Sequence, residues 1–219
     1  RPFIRESHGG GASLRMAGGS EIVAKGLDVS RETLERLQVY NKLLHKWQRA
    51  INLVSRQSLD DSWQRHFLDS GQLFRLLPGE ANSMLDIGSG AGFPGMVLAI
   101  MGARNVELVE SDERKCLFLR EVSRETSTDV TVTNERIEKL SPKTVDVLTS
   151  RACAPLDVLL GYARPYLGPS TICLFPKGRT VQDELTTAQK RWNIRYTLHQ
   201  SVSDSAARIV RLEGIFDDR

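Results

Sequence analysis

Cysteine is scarce: Cys116, Cys153 and Cys173 are the only three, they lie far apart in apolar surroundings, and no CxxC pair occurs. That excludes a disulfide framework and a zinc site, and points to a reduced, cytoplasmic thiol inventory with no metal partner. Long hydrophobic runs are also missing. Nothing approaches the roughly 18 to 20 apolar residues that a membrane span needs, so no membrane association is expected. No stretch has the charged start, apolar middle and small-residue cleavage site of a signal peptide. Charge of one sign is not in excess either, since 30 Lys and Arg against 27 Asp and Glu give +3, with a pI near 8.8. Any nucleic-acid-binding face must therefore come from how charges cluster. Internal repeats and low-complexity tracts are absent.

What is present is a globular inventory. With 219 residues and 40% hydrophobic content, the chain can build one α/β core with a modest appendage but not two large domains. A monomer is the expected state. Arg1 to Arg15 include Ser7-His8-Gly9-Gly10-Gly11 and show no periodicity, so they read as an expression-tag remnant, with Met16 as the native start. Residues 16–27 read as a flexible lead-in. The expected division is thus tag and lead-in over 1–27, a helical extension over 28–79 and the main domain over 80–219.

From Ser30 onward, Leu37, Tyr40, Leu44, Trp47 and Ile51 recur at steps of three and four, which places them on one helical face. Arg36, Lys42, Lys46 and Arg49 fall largely off it. Ser58 with Asp61 three residues on resembles a capping box, and Trp63, Phe67, Phe74 and Leu77 continue a second helix up to Pro78-Gly79. Beyond Pro78, short apolar runs alternate with helical segments. Strands are expected at 83–87, 106–110, 130–132, 145–149 and 171–175, with one helix over 93–101 and another through Leu117 and Leu119. This alternation specifies a parallel sheet covered on both faces. The tail differs, because 192–199 and 207–212 are strand-like and only a short polar turn separates them. A hairpin at the sheet edge follows.

Asp86-Ile87-Gly88-Ser89-Gly90-Ala91-Gly92 follows the first of these strands and precedes a helix. Glycines there permit positive φ and let a ligand approach the backbone, beside the crevice formed by the strand ends. Gly90-Ala91-Gly92-Phe93-Pro94-Gly95 also fits the dinucleotide fingerprint, with Glu110 about twenty residues on as a ribose-binding acid. Spacing alone does not choose between cofactors. Three features favour S-adenosyl-L-methionine: Asp86 before the first glycine, the G-x-G-x-G spacing from Gly88, and the terminal hairpin. The acid at Asp86 resembles motif I of the class I methyltransferases, where it helps organise the amino-acid end of the cofactor. A pyrophosphate would be repelled by it. Glu110 can accept hydrogen bonds from two adjacent ribose hydroxyls, whereas Asp112 fits a solvated acid at a helix start.

Trp47, Ile51-Asn52-Leu53, Arg65-His66-Phe67-Leu68-Asp69-Ser70, Asp86 through Gly95, Ser150-Arg151-Ala152 and Lys177-Gly178 carry a further resemblance. From Leu37 to Leu212 the chain resembles the bacterial 16S rRNA guanine-N7 methyltransferases, historically called glucose-inhibited division protein B. The resemblance implies an α/β class I fold, a Rossmann-like seven-stranded sheet with a C-terminal antiparallel hairpin, preceded by N-terminal helices. It implies S-adenosyl-L-methionine as cofactor and 16S rRNA or the small ribosomal subunit as partner. It also matches Gly88 and Phe93 to cofactor-contacting positions of the turn, Ile137-Glu138 to the pair beside the adenine, and Arg151 to an arginine near cofactor and substrate. Glu110 departs from the family's frequent aspartate without changing the chemistry. On their own terms, Ile137 suits an adenine face or ordinary core, and Arg151 suits a phosphate, a cofactor carboxylate or a surface salt bridge.

Guanine N7 carries an exposed lone pair, so its methylation requires no prior proton removal. No residue is singled out as an acid or base; His66 and Arg151 are the positioning candidates. His66 titrates near neutrality, yet its place beside Phe67, with Asp69 three residues on, suits a packed histidine that closes the extension over the pocket. The RNA-binding candidates are Arg65, Lys177 and Arg179, with Arg36, Lys42, Lys46, Arg49 and Arg56 as weaker ones on the helices. A flipped guanine would stack on an aromatic such as Phe93. Competing readings are a class I methyltransferase for another RNA, a protein or a small molecule, an NAD-binding oxidoreductase, and a ribosome-associated module with a dead pocket. The intact set of Asp86, Gly88 and Gly90 speaks against the last.

Overall fold

The computed structural model describes residues 10–151 and 154–217. Helices α1 (Gly10–Leu27), α2 (Arg31–Trp47), α3 (Arg56–Leu59) and α4 (Asp69–Gly71) precede a sheet of seven strands. These are β1 (Met84–Ile87), β2 (Val106–Glu110), β3 (Val130–Asn134), β4 (Val147–Thr149), β5 (Ile172–Lys177), β6 (Trp192–Gln200) and β7 (Arg208–Asp217). Their spatial order is β3-β2-β1-β4-β5-β7-β6. The first five run parallel, and β7 enters antiparallel to both β5 and β6. This is the expected class I sheet with its terminal hairpin. The order reverses between β1 and β4, which opens a crevice at their carboxyl ends.

Alternate residues of the strands feed two cores. Met84, Leu108, Val147 and Leu174 face one way, and Leu85, Val109, Leu148 and Phe175 face the other. Burial on both faces at period two requires a helical layer on each side. Helices α5 (Gly95–Ile100) and α6 (Glu113–Glu125) supply the first layer, and α7 (Leu156–Ala163) and α8 (Val181–Ala188) the second. Asp112 caps α6, accepting from the amides of Arg114 and Lys115 at 2.9 and 3.3 Å. Helix α5 begins at Gly95 and not at Phe93, after a cis Phe93–Pro94 bond. A Cβ at Gly95 would lie 2.5 Å from Leu108 and 2.7 Å from the Asp86 Cβ, so the helix start presses directly on the strands. Cys116 and Cys173 are free and buried, whereas Ala152 and Cys153 lie outside the described residues.

The reading of 16–27 as a flexible lead-in is overturned, because Gly10–Leu27 is a helix that buries Val23 and Leu27. Its docking depends on missing side chains. A Cβ at Gly19 would sit 2.4 Å from the Trp63 ring, and one at Gly71 would sit 2.2 Å from Leu27. Such a glycine-rich segment has no strong apolar stripe, so packing and not propensity makes it helical. The extension therefore starts well before residue 28. The tag reading falls partly on residues 1–9, which lie outside the described residues.

Helix α2 follows the predicted stripe, and Leu37, Tyr40 and Leu44 join Met96, Phe118 and Leu119 in one core. The second predicted helix is broken. Ser55, not Ser58, caps the short α3 by accepting from the Ser58 amide at 3.2 Å. A π-helical turn, Trp63–Leu68, then leads into α4 and a 3-10 turn, Gln72–Leu76. The Ser58 hydroxyl is diverted to His66, and the wide turn lets His66 and Asp69 converge on Arg151 at the carboxyl end of the sheet.

In an exposed helix, Gly→Ala gains about 1 kcal/mol, whereas overpacking a docked surface costs about 1–3 kcal/mol. Gly19→Ala is therefore expected to lower the urea midpoint. An unchanged or raised midpoint would show that α1 does not pack on Trp63.

Candidate active site

The glycine turn is left-handed at three positions, with φ of 64° at Gly88, 56° at Gly90 and 92° at Gly92. At Gly92 space matters as well as dihedral, since a Cβ would lie 2.6 Å from the Tyr40 hydroxyl and 2.9 Å from Leu119. Tyr40 donates to the carbonyl of Ala91, so α2 braces the turn from below. Glu110 holds it from the side. Its Oε2 accepts from the Gly90 amide at 2.8 Å and its Oε1 from the Asp112 amide at 2.8 Å.

Asp86 is fully buried. Its Oδ1 accepts from the Thr149 hydroxyl at 2.9 Å and its Oδ2 from the Gly95 amide at 3.3 Å. Burial pushes its carboxyl up to about 6, with the hydrogen bond from Thr149 the largest opposing influence. The acid joins β1, β4 and α5 beneath the turn and has no surface with which to touch a ligand. Its expected part in organising the cofactor directly thus becomes the positioning of the turn.

Two cavities open at the carboxyl ends of the strands. One, of about 170 Å³, lies over β1, β2 and β3 and is lined by Gly88, Glu110, Ser111, Ile137, Glu138 and Tyr162. The structure thereby brings four predicted residues together. Ile137 is half-buried against the core and also lines the cavity. Above Gly90 the space is open, and a Cβ there would meet nothing nearer than the Gly88 carbonyl at 3.9 Å. A fixed carboxylate, an apolar side chain and bare glycine backbone together fit the adenosine end of S-adenosylmethionine. Among the described residues no group of three His, Cys, Asp or Glu could hold a metal ion.

The second cavity, of about 910 Å³, lies over β4, β5 and β7 and is lined by Arg65, His66, Asp69, Arg151, Lys177 and Arg208 among others. Arg151 dominates its wall. It donates to the Arg65 carbonyl at 3.2 Å, approaches His66 Nδ1 at 3.0 Å and Asp69 at 3.6 Å, and lies over the Phe93 ring at 4.9 Å. A guanidinium only donates, so Nδ1 accepts and Nε2 carries the proton toward the Ser58 hydroxyl at 3.0 Å. Burial, then Arg151 and Arg65, pushes His66 down to about 3. Phe93 is 3% exposed and packed against Tyr40, at 5.3 Å and 13°, and His66, at 4.8 Å and 21°. With Arg151 also over it, the ring is enclosed, so the expected stacking of a flipped base on Phe93 is corrected.

The RNA candidates separate. Arg65 and Arg179 are exposed. Lys177 is not a free cation, since its Nζ lies 2.9 Å from Glu184 Oε2 and 2.9 Å from the Ala154 carbonyl. Arg36 pairs with Glu32 and Lys46 with Glu121, whereas Lys42, Arg49 and Arg56 are exposed. Arg208, which the sequence reading passed over, lines the larger cavity because hairpin register places it opposite Lys177. Tyr40 was read only as part of an apolar stripe, and Thr149 only as a strand end.

Sheet order, glycine turn and crevice together define a class I S-adenosylmethionine-dependent methyltransferase. In fold the chain is similar to a ribosomal protein L11 methylase from Lactobacillus delbrueckii subsp. bulgaricus (TM-score 0.56, 11% identity, covering 76% of this chain and 81% of that one). It is similar also to a TehB-like methyltransferase from Corynebacterium glutamicum (TM-score 0.52, 15% identity, covering 80% and 96%). Residues 33–211 match the family model described as rRNA small subunit methyltransferase G. The chain is 54% identical over 198 residues to the ribosomal RNA small subunit methyltransferase G of Paramagnetospirillum magneticum, covering 90% of this chain and 96% of that one. With that of Rhodospirillum centenum it shares 52% over 187 residues, covering 85% and 87%. The chain belongs to the rRNA small subunit methyltransferase G family and is an enzyme of small-subunit rRNA methylation.

The unfolded chain takes up a proton at His66 near 6.5, while the folded one refuses it until about 3. This group's stabilisation is therefore complete above 6.5 and is lost as pH falls toward 3. In the folded protein the His66 imidazole is expected to stay neutral by NMR between about pH 4 and 8, and His66→Gln should flatten the acid limb of the stability curve. A folded-state midpoint near the ordinary imidazole value of 6.5 would contradict the placement of His66 beside Arg151.

Proposed function

We propose that the enzyme transfers a methyl group to N7 of a guanine in 16S rRNA, with the larger cavity taking the base and the smaller one the adenosine end of the cofactor. The observation that carries this reading is the pair of cavities at the carboxyl ends of the strands, the smaller bordered by Gly88 of the turn and the larger walled by Arg151, whose guanidinium lies over Phe93 of that turn. When bound, S-adenosylmethionine supplies an electrophilic methyl group on a cationic sulfur. Gly88 and Gly90 admit it against the backbone, Glu110 accepts from its ribose hydroxyls, and Ile137 and Glu138 flank the adenine.

In the larger cavity the titratable groups around Arg151 and Lys177 are engaged, and Asp204 is an exposed carboxylate that accepts from the Ala206 amide. The Nδ1 lone pair of His66 faces Arg151, Asp69 pairs with Arg151, and Glu184 pairs with Lys177. That suits a nucleophile whose lone pair is already exposed, and leaves the chain to align the reacting atoms and exclude water. Arg65, Arg179 and Arg208 would contact phosphates. The proposed setting is a cytoplasmic monomer acting on the small subunit or its RNA. No helix among the described residues is long and apolar enough to cross a membrane.

Incubation with labelled S-adenosylmethionine should place label on small subunits or 16S rRNA, at a guanine that becomes cleavable at N7, and not on unrelated RNA. Label on another base, or only on unrelated RNA, would sink the assignment. Gly88→Asp should abolish cofactor binding in a calorimeter, because a branched anion would enter the cavity from a left-handed position. Undiminished binding would refute the placement of the cofactor.

A further inference from the structure

Lys177 and Glu184 line the larger cavity together with Ala154 and Pro155. Lys177 ends β5, and its ammonium bridges two acceptors, Glu184 Oε2 and the Ala154 carbonyl. Glu184 lies in the first turn of α8, where an acid is favoured by the helix dipole. The same Oε2 accepts from the Leu156 amide at 3.0 Å, and Oε1 accepts from the Thr180 hydroxyl at 3.2 Å. Leu156 is the first residue of α7, whose N-cap position is Pro155 and provides no side-chain cap. Glu184 therefore satisfies an amide that its own helix leaves orphaned.

Arg151 is tied to the extension, and the Lys177–Glu184 pair ties Ala154 and Leu156, on either side of Pro155, to β5 and α8. The pair is mostly enclosed, with side-chain exposures of 8% and 21%. In such a setting, removal of one partner leaves an uncompensated charge. Moving Lys177 to a phosphate would break both of its bonds and strand Glu184. Arg65 and Arg208 line the same cavity without an ion-pair partner among the described residues, so phosphates have other cations to meet.

We propose that Lys177 and Glu184 form a positioning pair that holds Ala154 and Pro155 in the wall of the guanine cavity, and that Lys177 is not a phosphate ligand. The inference rests on the reading of the larger cavity as the substrate site. Its test separates a clamp from a contact. A phosphate-binding lysine contributes about one unit to the slope of log affinity against log salt, and neutralising its carboxylate neighbour would strengthen RNA binding. A clamp contributes nothing to the slope and fails equally when either partner is lost.

Wild type, Lys177→Met, Glu184→Gln, the double variant and Arg208→Met are compared for salt-dependent binding of small subunits without cofactor, and for single-turnover methyl transfer at saturating subunit and cofactor. Glu184→Gln is isosteric, so it carries the test if Lys177→Met fails to fold, and its melting temperature is recorded alongside. The expected result is an unchanged salt slope in both single pair variants. Their methyl transfer should be slower by about 10- to 100-fold, the scale of a small misplacement of the reacting groups. The double variant should be little worse than either single one. Arg208→Met should lose about one unit of slope. A slope reduced by about one in Lys177→Met, or tighter binding with an undiminished rate in Glu184→Gln, overturns the proposal. A wild type that binds but does not methylate small subunits would overturn the functional reading on which the pair depends, and the wild-type arm identifies that failure separately.

Discussion

Arg151 leaves the sheet at the end of β4 and directs its guanidinium into the helical extension, where it is largely enclosed. A buried cation costs several kcal/mol unless charge and hydrogen bonds are both returned to it. Here Asp69 supplies the charge, the Arg65 carbonyl and His66 Nδ1 accept protons, and the Phe93 face covers the remaining side. Three of these partners come from the π-helical turn and α4, and the fourth from the glycine turn. The extension and the sheet are joined at the site itself, and the shared core of Tyr40, Phe67, Met96 and Phe118 follows from that junction.

The same contacts form a continuous path between the two cavities. Asp69, His66 and Arg151 face the larger one, Phe93 lies behind them, and Tyr40 stacks on Phe93 and bonds to Ala91 in the turn that borders the smaller one. Asp69 reaches further, accepting from Gln72 and from Ser203, while Gln72 accepts from the Val202 amide. The turn between β6 and β7 is thereby fastened to the extension and forms part of the cavity wall. A site built this way fixes geometry and offers few free titratable groups, as a reaction at an unprotonated ring nitrogen requires.

The family match and the structure divide the chain differently. The match spans residues 33–211 and so begins inside α2, taking in the π-helical turn and Arg151 along with the sheet. Helix α1 precedes it, yet packs on Trp63, one turn from His66. Its contribution is to back the element that presents His66 and Asp69, through close approaches at Gly19 and Gly71.

Strand alternation, the left-handed glycines and the edge hairpin were legible because each is a local pattern, set by the period of two and by the φ that glycine tolerates. Glu110 was legible for the same reason, since it ends a strand beside the turn. The Arg151 and His66 blocks were visible as a family resemblance, but their contact spans 85 residues of sequence and no periodicity reports it. Tertiary structure alone decided that Asp86 supports the turn from within, that Phe93 has no face left for a base, that Lys177 is neutralised by Glu184, and that Arg208 borders the cavity. Each of these depends on which distant group satisfies a buried charge or covers a ring. That partner is chosen by packing between elements distant in sequence, whereas sequence by itself determines the dihedrals and faces from which the packing is built.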